Sequence, residues 1–358
     1  MFSDVFLKSF RILLLPFAVL YGAIVRMRNW LYDREVMKSA TFGLPLICVG
    51  NLSVGGTGKS PMVEYLVLHL KNRFRVATLS RGYKRKTSGY ALAHSKSTAL
   101  EIGDEPMQFH RKFPDVPVAV GEERIVAIPQ LLHDRPDTEV ILLDDAYQHR
   151  SVAAGLNILL TDHGNLFTRD FFLPTGDLRD SVSSYKRAHI IVVTKCPADL
   201  PAKERADIIR EIRPLPHQQV YFTTIVYGSP YHITQQGFTY IDERTEVLLV
   251  TGIANPRPLK KHLEERIQTY YLMQYSDHHI FTIDDWKDIR NRFASIQAEK
   301  KLILTTEKDA MRLVKFEQEI NGMPFYVLPI EHKFLFDEGP VFTERVTRFI
   351  TEFTKPVA

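Results

Sequence analysis

Pro45-Leu46-Ile47-Cys48-Val49-Gly50-Asn51-Leu52-Ser53-Val54-Gly55-Gly56-Thr57-Gly58-Lys59-Ser60-Pro61 is the stretch on which the fold turns. Leu46 to Val49 is a short apolar run that reads as a buried strand, and Met62 to Leu70 carries a helical pattern. Between them a glycine-rich loop ends in Gly58-Lys59-Ser60, the strand–loop–helix context of a phosphate-binding loop. Glycines let successive backbone N–H groups turn inward on an anion, at the positive end of the following helix. Lys59 then reaches the β- and γ-phosphates, and the Ser60 hydroxyl meets Mg²⁺. The general pattern asks for glycine five residues before Gly58, and this chain has Ser53 there. A plain glycine-rich turn is the bland reading; the Gly-Lys-Ser triplet and its flanks favour a nucleoside triphosphate.

Composition narrows the class. A chain of 358 residues can bury two cores at about 150 residues per domain. With 45% hydrophobic and 25% charged residues it has the makeup of a folded protein rather than a disordered one. A formal charge of +4 is too small to argue for nucleic acid, and nothing indicates a protein partner. Cys48 and Cys196 lie in or beside apolar strand-like runs, which suggests reduced thiols rather than a disulfide framework or a metal site.

Ile12 to Val25 is fourteen residues without a charge, flanked by Lys8 and Arg11 on one side and Arg26, Arg28 and Arg34 on the other. A spanning helix needs about 20 apolar residues. A cleaved signal peptide would need a small-residue cleavage site, and a phosphate-binding loop has no use outside the cell. An interfacial anchor and a buried core helix remain. The flanking arginines with Tyr21, Trp30 and Tyr32 favour an amphipathic helix lying in the headgroups of an anionic leaflet.

Beyond the loop, Arg75 to Leu79 reads as a strand running into the basic loop Ser80-Arg81-Gly82-Tyr83-Lys84-Arg85-Lys86. Such a charge run is ordinarily a solvated face, but its place after a strand fits a phosphorylated ligand. Gly103-Asp104-Glu105-Pro106 starts a helical pattern (Met107 to Lys112), where two carboxylates need no role beyond capping. Arg124 opens a helix over Ile125 to Leu132. Val140 to Leu143 is a strand that runs into Asp144-Asp145, the arrangement of a Mg²⁺ ligand opposite a phosphate loop. Ala146-Tyr147-Gln148-His149-Arg150 then gathers amide, imidazole and guanidinium in one turn. Asn157 to Thr161 and Ile190 to Thr194 supply further strands around the turn-rich segment Leu173 to Asp180. Thr194-Lys195-Cys196-Pro197 follows a strand as a guanine-reading motif does, but Pro197 stands where its aspartate belongs, which favours ATP over GTP.

Tyr227 to Arg244 reads as strands or a hairpin linker, after which strand–helix alternation resumes from Val247 to a last helix near Val341 to Phe353. The alternation predicts an α/β chain of two α/β/α domains with mainly parallel sheets, the first of P-loop NTPase type, preceded by the amphipathic helix. The expected divisions are a membrane-associating helix over 1–35, a P-loop domain over 36–228, a linker or hairpin over 229–244 and a smaller α/β domain over 245–358. Asp277-His278-His279 could be a metal site or a polar turn; adjacent histidines point apart and no third ligand is well spaced.

These pieces together resemble the tetraacyldisaccharide 4′-kinases, the lipid A 4′-kinases of Gram-negative bacteria. The resemblance rests on Val49-Gly50-Asn51 with Gly55 to Pro61, Ser80-Arg81-Gly82-Tyr83, Gly103-Asp104-Glu105-Pro106 and Asp144 to Arg150. It continues through Leu173-Pro174 with Leu178-Arg179, Thr194-Lys195-Cys196, Asp277-His278-His279 and Thr306-Glu307-Lys308-Asp309-Ala310. In this family the loop is read from Gly50-Asn51, so Ser53 is no obstacle. Departures include Lys84 and Ala146 where glycine is usual, Tyr147 for phenylalanine, Asp177 for proline and Asp180 for glutamate.

The resemblance implies a two-domain kinase that closes over MgATP at the cytoplasmic face of the inner membrane, as a peripheral or monotopic protein. It implies transfer of the γ-phosphoryl group to the 4′-hydroxyl of a tetraacyl glucosamine disaccharide 1-phosphate, giving the 4′-phosphorylated lipid A precursor of lipopolysaccharide biosynthesis. Asn51, Gly55, Gly56, Thr57, Gly58, Lys59 and Ser60 are then expected on the nucleotide, and Ser60, Glu105, Asp144 and Asp145 around the metal. Asp104, oriented by His278, is expected to take the hydroxyl proton, with Lys59 as the catalytic cation. Arg81, Tyr83, Arg124, Gln148, His149 and Asp180 are the candidate substrate contacts. A P-loop kinase or ligase acting on a soluble metabolite, and a membrane-recruited nucleotide switch, stay as alternatives.

Overall fold

Uninterrupted apolar runs form central parallel strands because both faces of such a sheet are covered. A computed structural model of the chain describes residues 11–235 and 237–354; Lys8, one of the basic flanks of the N-terminal run, lies outside them. The strands are β1 Leu46–Asn51, β2 Val76–Ser80, β3 Ala91–Leu92, β4 Val118–Val120, β5 Val140–Asp144, β6 Leu156–Asp162 and β7 Ile190–Thr194. They continue as β8 Gln219–Tyr227, β9 Tyr231–His232, β10 Glu246–Thr251, β11 Tyr270–Gln274, β12 Lys301–Thr306, β13 Phe325–Leu328 and β14 Ile330–Phe334. The helices that build the site and its supports are α1 Leu15–Asp33, α2 Lys59–Leu70, α3 Asp104–Lys112, α4 Arg124–Asp134, α5 Glu307–Leu313 and α6 Gly339–Thr351.

The first sheet has the order β14-β8-β7-β6-β1-β5-β2-β4-β3, parallel except for its outermost strands β14 and β3. Alternate residues of its central strands enter different cores. Leu46, Cys48, Ile141 and Leu143 pack on one face, and Ile47, Val49, Val140 and Leu142 on the other with Met62, Val63, Leu66 and Val67 of α2. β1 lies between β5 and β6, the switch point where a doubly wound sheet opens a crevice at its carboxyl edge. The register pairs Val49 with Asp144, so the phosphate loop and the acidic strand end leave the sheet side by side.

The second sheet, β11-β10-β12-β13-β9, is parallel apart from β9, and helix Ile283–Ala294 buries Trp286, Ile289 and Phe293 against it. One part of the expected 245–358 domain lies elsewhere. β14 pairs with β8 in the first sheet, and α6 places Phe342, Val346 and Ile350 in the core beneath α2. Alternation alone does not say which sheet a returning strand joins. Segment 229–244 supplies β9, which pairs with β13.

α1 docks along one side. Gly22 lies where an added Cβ would be 2.7 Å from the Phe172 ring, Tyr21 Oη donates to Arg179 O at 3.0 Å, and Asn29 Nδ2 donates to Asp180 Oδ1 at 2.7 Å. Phe17, Leu20, Ile24 and Met27 are exposed along the other side. That distribution excludes a buried core helix, and no described helix is long and apolar enough to cross a membrane.

Candidate active site

The loop between β1 and α2 holds Gly55 at φ 105° and Gly58 at φ 86°, conformations that cost other residues strain. Ser53 bridges Leu178 with negative φ, which explains why glycine is not required there. The loop is braced from behind. Thr194 Oγ1 donates to Thr57 O at 2.8 Å, and His332 Nε2 donates to Gly58 O at 2.8 Å while its Nδ1 accepts from Thr223 Oγ1 at 2.9 Å. Burial pushes the His332 imidazole down to about 4, so it is neutral in these bonds.

Lys59 opens α2, with Ser60 half-buried beside it. Lys59 Nζ donates to Asn51 Oδ1 at 3.3 Å and lies 3.8 Å from Asp145 Oδ1. Burial lowers its ammonium, with Asp145 opposing. Arg179 binds both oxygens of Asp145 and donates to Asn51 Oδ1 at 2.5 Å. Burial raises the Asp145 carboxyl, but Lys59, Arg179 and Arg124 outweigh it and hold it below the usual range. Gln148 Nε2 donates to Asn51 O at 2.6 Å.

The donor set fits a phosphate chain with its divalent ion. Gly55 and Gly56 face open space where added Cβ atoms would intrude. Asn51 Nδ2, Thr57 Oγ1 and Asp144 Oδ1 are buried without a partner among the described residues, each a cost of about 1–3 kcal/mol until something binds. Among the described residues no group of three or more His, Cys, Asp or Glu could hold a metal by itself. Magnesium ordinarily takes one or two carboxylates plus substrate phosphates, which is what this edge offers.

Burial pushes Asp144 up to about 7, Asp145 adding and Lys59 opposing. An acid whose folded pKa exceeds its unfolded value of about 4 weakens the fold increasingly as pH rises between those values, and by a constant amount above. Asp144→Asn is therefore expected to abolish turnover yet raise the Tm of nucleotide-free protein. The gain grows from about pH 4 to about 7 and then levels off; a gain independent of pH in thermal melts contradicts this account.

Asp104, first residue of α3, sits across the crevice. His278 Nδ1 donates to its Oδ2 at 3.2 Å, and Arg312 Nε and Nη2 reach the same oxygen at 2.9 and 2.7 Å. His279 turns away to donate to Asp285 Oδ2 at 2.9 Å, so it completes the cap of helix Ile283–Ala294. Glu105 accepts from Lys308 Nζ at 2.7 Å; burial raises its carboxyl, and Lys308 outweighs that to lower it. Lys308 also feels Asp104 and Asp144, and Lys59 feels Lys308, so the two halves share one electrostatic field.

Arg124 is 1% exposed, and its Nη1 donates to Gly121 O at 2.7 Å and to Glu122 O at 3.1 Å. Its Nε and Nη2 have no partner among the described residues, and burial pushes the guanidinium down to about 10. His149 is pushed down to about 4 by burial, then by Arg124 and Arg81. Arg81 and Tyr83 are exposed after β2, with the Tyr83 ring edge-on to His278 at 6.0 Å. Asp180 is engaged within the protein. It is 1% exposed, and Asn29, Ser184, the Ser181 N–H and Arg187 occupy its two oxygens. It ties α1 to the loop through Asn29.

Arg312 and His332 were not singled out from sequence, and Arg179 was quoted only within a motif, with no role in the site. Lys308 and Arg312 stand four apart on α5, which puts two cations on one face, the signal that could have revealed them. His332, alone on a charged edge strand, gave none.

The sequence model of the tetraacyldisaccharide-1-P 4′-kinase family matches residues 10–351. The chain is 44% identical to the tetraacyldisaccharide 4′-kinase of Bacteroides thetaiotaomicron, over 96% of this chain and 94% of that one. It is also 44% identical to that of Flavobacterium johnsoniae, over 97% and 99% respectively. The crystal structure of "apo" form LpxK from Aquifex aeolicus in complex with ATP has 28% identity and a TM-score of 0.76, covering 95% of this chain and 99% of that chain. The chain belongs to the tetraacyldisaccharide-1-P 4′-kinase family.

Proposed function

We propose that this chain transfers the γ-phosphoryl group of ATP to the 4′-hydroxyl of a tetraacyl glucosamine disaccharide 1-phosphate. The observation that carries the reading is Asp104, gripped by His278 and Arg312, facing a phosphate loop across one crevice. The three contacts fall on Oδ2, so Oδ1 is the oxygen left to receive the hydroxyl proton. As the 4′-oxygen bonds to the γ-phosphorus, the bond to ADP breaks and Asp104 holds the proton until solvent takes it. Phosphoryl transfer needs positioning and charge neutralisation above all. Lys59, drawn in by Asn51 and Asp145, supplies positive charge at the phosphates. Ser60 and Asp144, with Glu105 or Asp145, would hold magnesium, which neutralises phosphate oxygens when bound. The unpaired N–H groups of Arg124, with Arg81 near, suit the acceptor's own phosphate.

The exposed stripe Phe17, Leu20, Ile24 and Met27 supports an α1 that rests in the inner leaflet and delivers the acylated acceptor from the membrane surface. The test is γ-labelled ATP with the disaccharide 1-phosphate lipid. Label is expected on the 4′-oxygen; ATP turnover indifferent to lipid refutes the reading. In the same preparation, Phe17→Glu/Leu20→Glu/Ile24→Glu is expected to lower sedimentation with anionic vesicles by about tenfold or more. Wild-type sedimentation of that variant refutes the membrane arm alone.

A further inference from the structure

Lys112 ends α3, at the far end from Asp104. Its Nζ lies 2.6 Å from Glu64 Oε2 in α2 and 2.7 Å from Glu307 Oε1 at the start of α5. Both carboxylates are nearly sealed, at 3% and 4% exposed. Their other oxygens are also used: Gln108 Nε2 donates to Glu64 Oε1 at 2.6 Å, and the Ile330 N–H to Glu307 Oε2 at 3.2 Å. One ammonium therefore joins three helices. α2 presents Lys59 and Ser60, α3 presents Asp104 and Glu105, and α5 carries the Lys308 and Arg312 that bind those two carboxylates.

Two buried carboxylates around one cation are a poor way to gain stability. Desolvation offsets much of the attraction, and neutral residues of similar volume commonly do as well or better. Burial, with Glu307 adding and Lys112 opposing, pushes the Glu64 carboxyl up to about 7, the mark of a triad short of positive charge. Geometry is the better account. α5 is tied to α3 at three points, and two of them use Asp104 and Glu105, groups that the acceptor hydroxyl and the metal compete for. The Lys112 tie lies where nothing competes, so it persists while the others exchange.

We propose that Lys112 is a positioning residue for phosphoryl transfer, a pivot that holds α2, α3 and α5 at the angle that seats His278 on Asp104 opposite the nucleotide. The inference rests on the kinase reading above. Absence of 4′-phosphorylation by the wild-type chain defeats that reading, whereas the pivot is tested only by the variants.

The experiment compares kcat and KM for MgATP in K112M, in K112R, and in the charge-neutral E64Q/K112M/E307Q. The triple variant buries no net charge, so it is expected to fold and serves where K112M does not. In K112M and in the triple variant kcat should fall about tenfold or more, because a small misplacement of reacting groups is costly, with KM changed less than about threefold. K112R, which keeps a cation between the carboxylates, should recover most of the loss. In an H278A background the same changes should add little, since the seat is already empty. A merely structural lysine would lower Tm and leave kcat of the folded protein intact. Full kcat in a folded neutral variant, or losses strictly additive with H278A, overturns the proposal.

Discussion

Asp104→Ala is expected to lower kcat by about a thousandfold while KM for MgATP stays within about threefold, because the proposed bond from the acceptor hydroxyl would strengthen only in the transition state. A helix-start aspartate without that role would cost about 0.5–2 kcal/mol of stability and leave rate alone. His278 touches the same oxygen, so His278→Ala should reproduce much of the defect. The double variant should be little worse than the poorer single, since either removal disables the pair. Arg312 remains at 2.7 Å in the His278 variant, so Asp104 keeps a cationic partner and the fold should hold. The deciding measurement is the double-mutant cycle in kcat at saturating MgATP. Strictly additive losses, or a near-normal rate in either single variant, dissolve the unit. His279→Ala should affect stability rather than rate, since its ring serves the helix cap through Asp285.

Lys59→Ala carries the other large effect. Turnover is expected to fall by about a thousandfold, as the proposed role of Lys59 in neutralising the phosphates requires. The fold should survive. Arg179 still binds both oxygens of Asp145, so no buried acid is orphaned. Burial already disfavours the Lys59 ammonium, so its removal relieves one desolvation cost. Thermal melts with and without MgATP check this: the apo Tm should stay close to wild type and the nucleotide-induced rise should shrink. Full activity in the folded variant would remove the nucleotide loop from the reaction.

The central sheet was legible because two-sided burial makes β1, β5 and β7 nearly pure apolar runs. The phosphate loop and the Asp144-Asp145 strand end were legible because their chemistry fixes residue type and neighbourhood. Pattern failed on the edges. β4 has only three residues, and β14, Ile-Glu-His-Lys-Phe, exposes alternate charges and reads as loop. Asp180 was named as a substrate contact through the family resemblance; its burial between Asn29 and Arg187 could not be read from a turn-rich loop. Arg312 was passed over, and Arg179 was left without a role, because a single arginine carries no mark of its partner, and theirs lie 208 and 34 residues away.

The return of β14 to the first sheet has a topological meaning. β8 and β14 are antiparallel neighbours with Tyr227 opposite Ile330, the arrangement of a hairpin whose turn would join those two residues. In place of the turn stand residues 228–329, the entire second sheet with its helices. The smaller unit is thus an insertion at the tip of an edge hairpin rather than a tail following the kinase sheet. Any movement of that unit pulls on both arms of the hairpin, and one arm ends its reach with His332 on the carbonyl of Gly58. Displacement of His278 is in this way connected by covalent backbone to the floor of the glycine-rich loop.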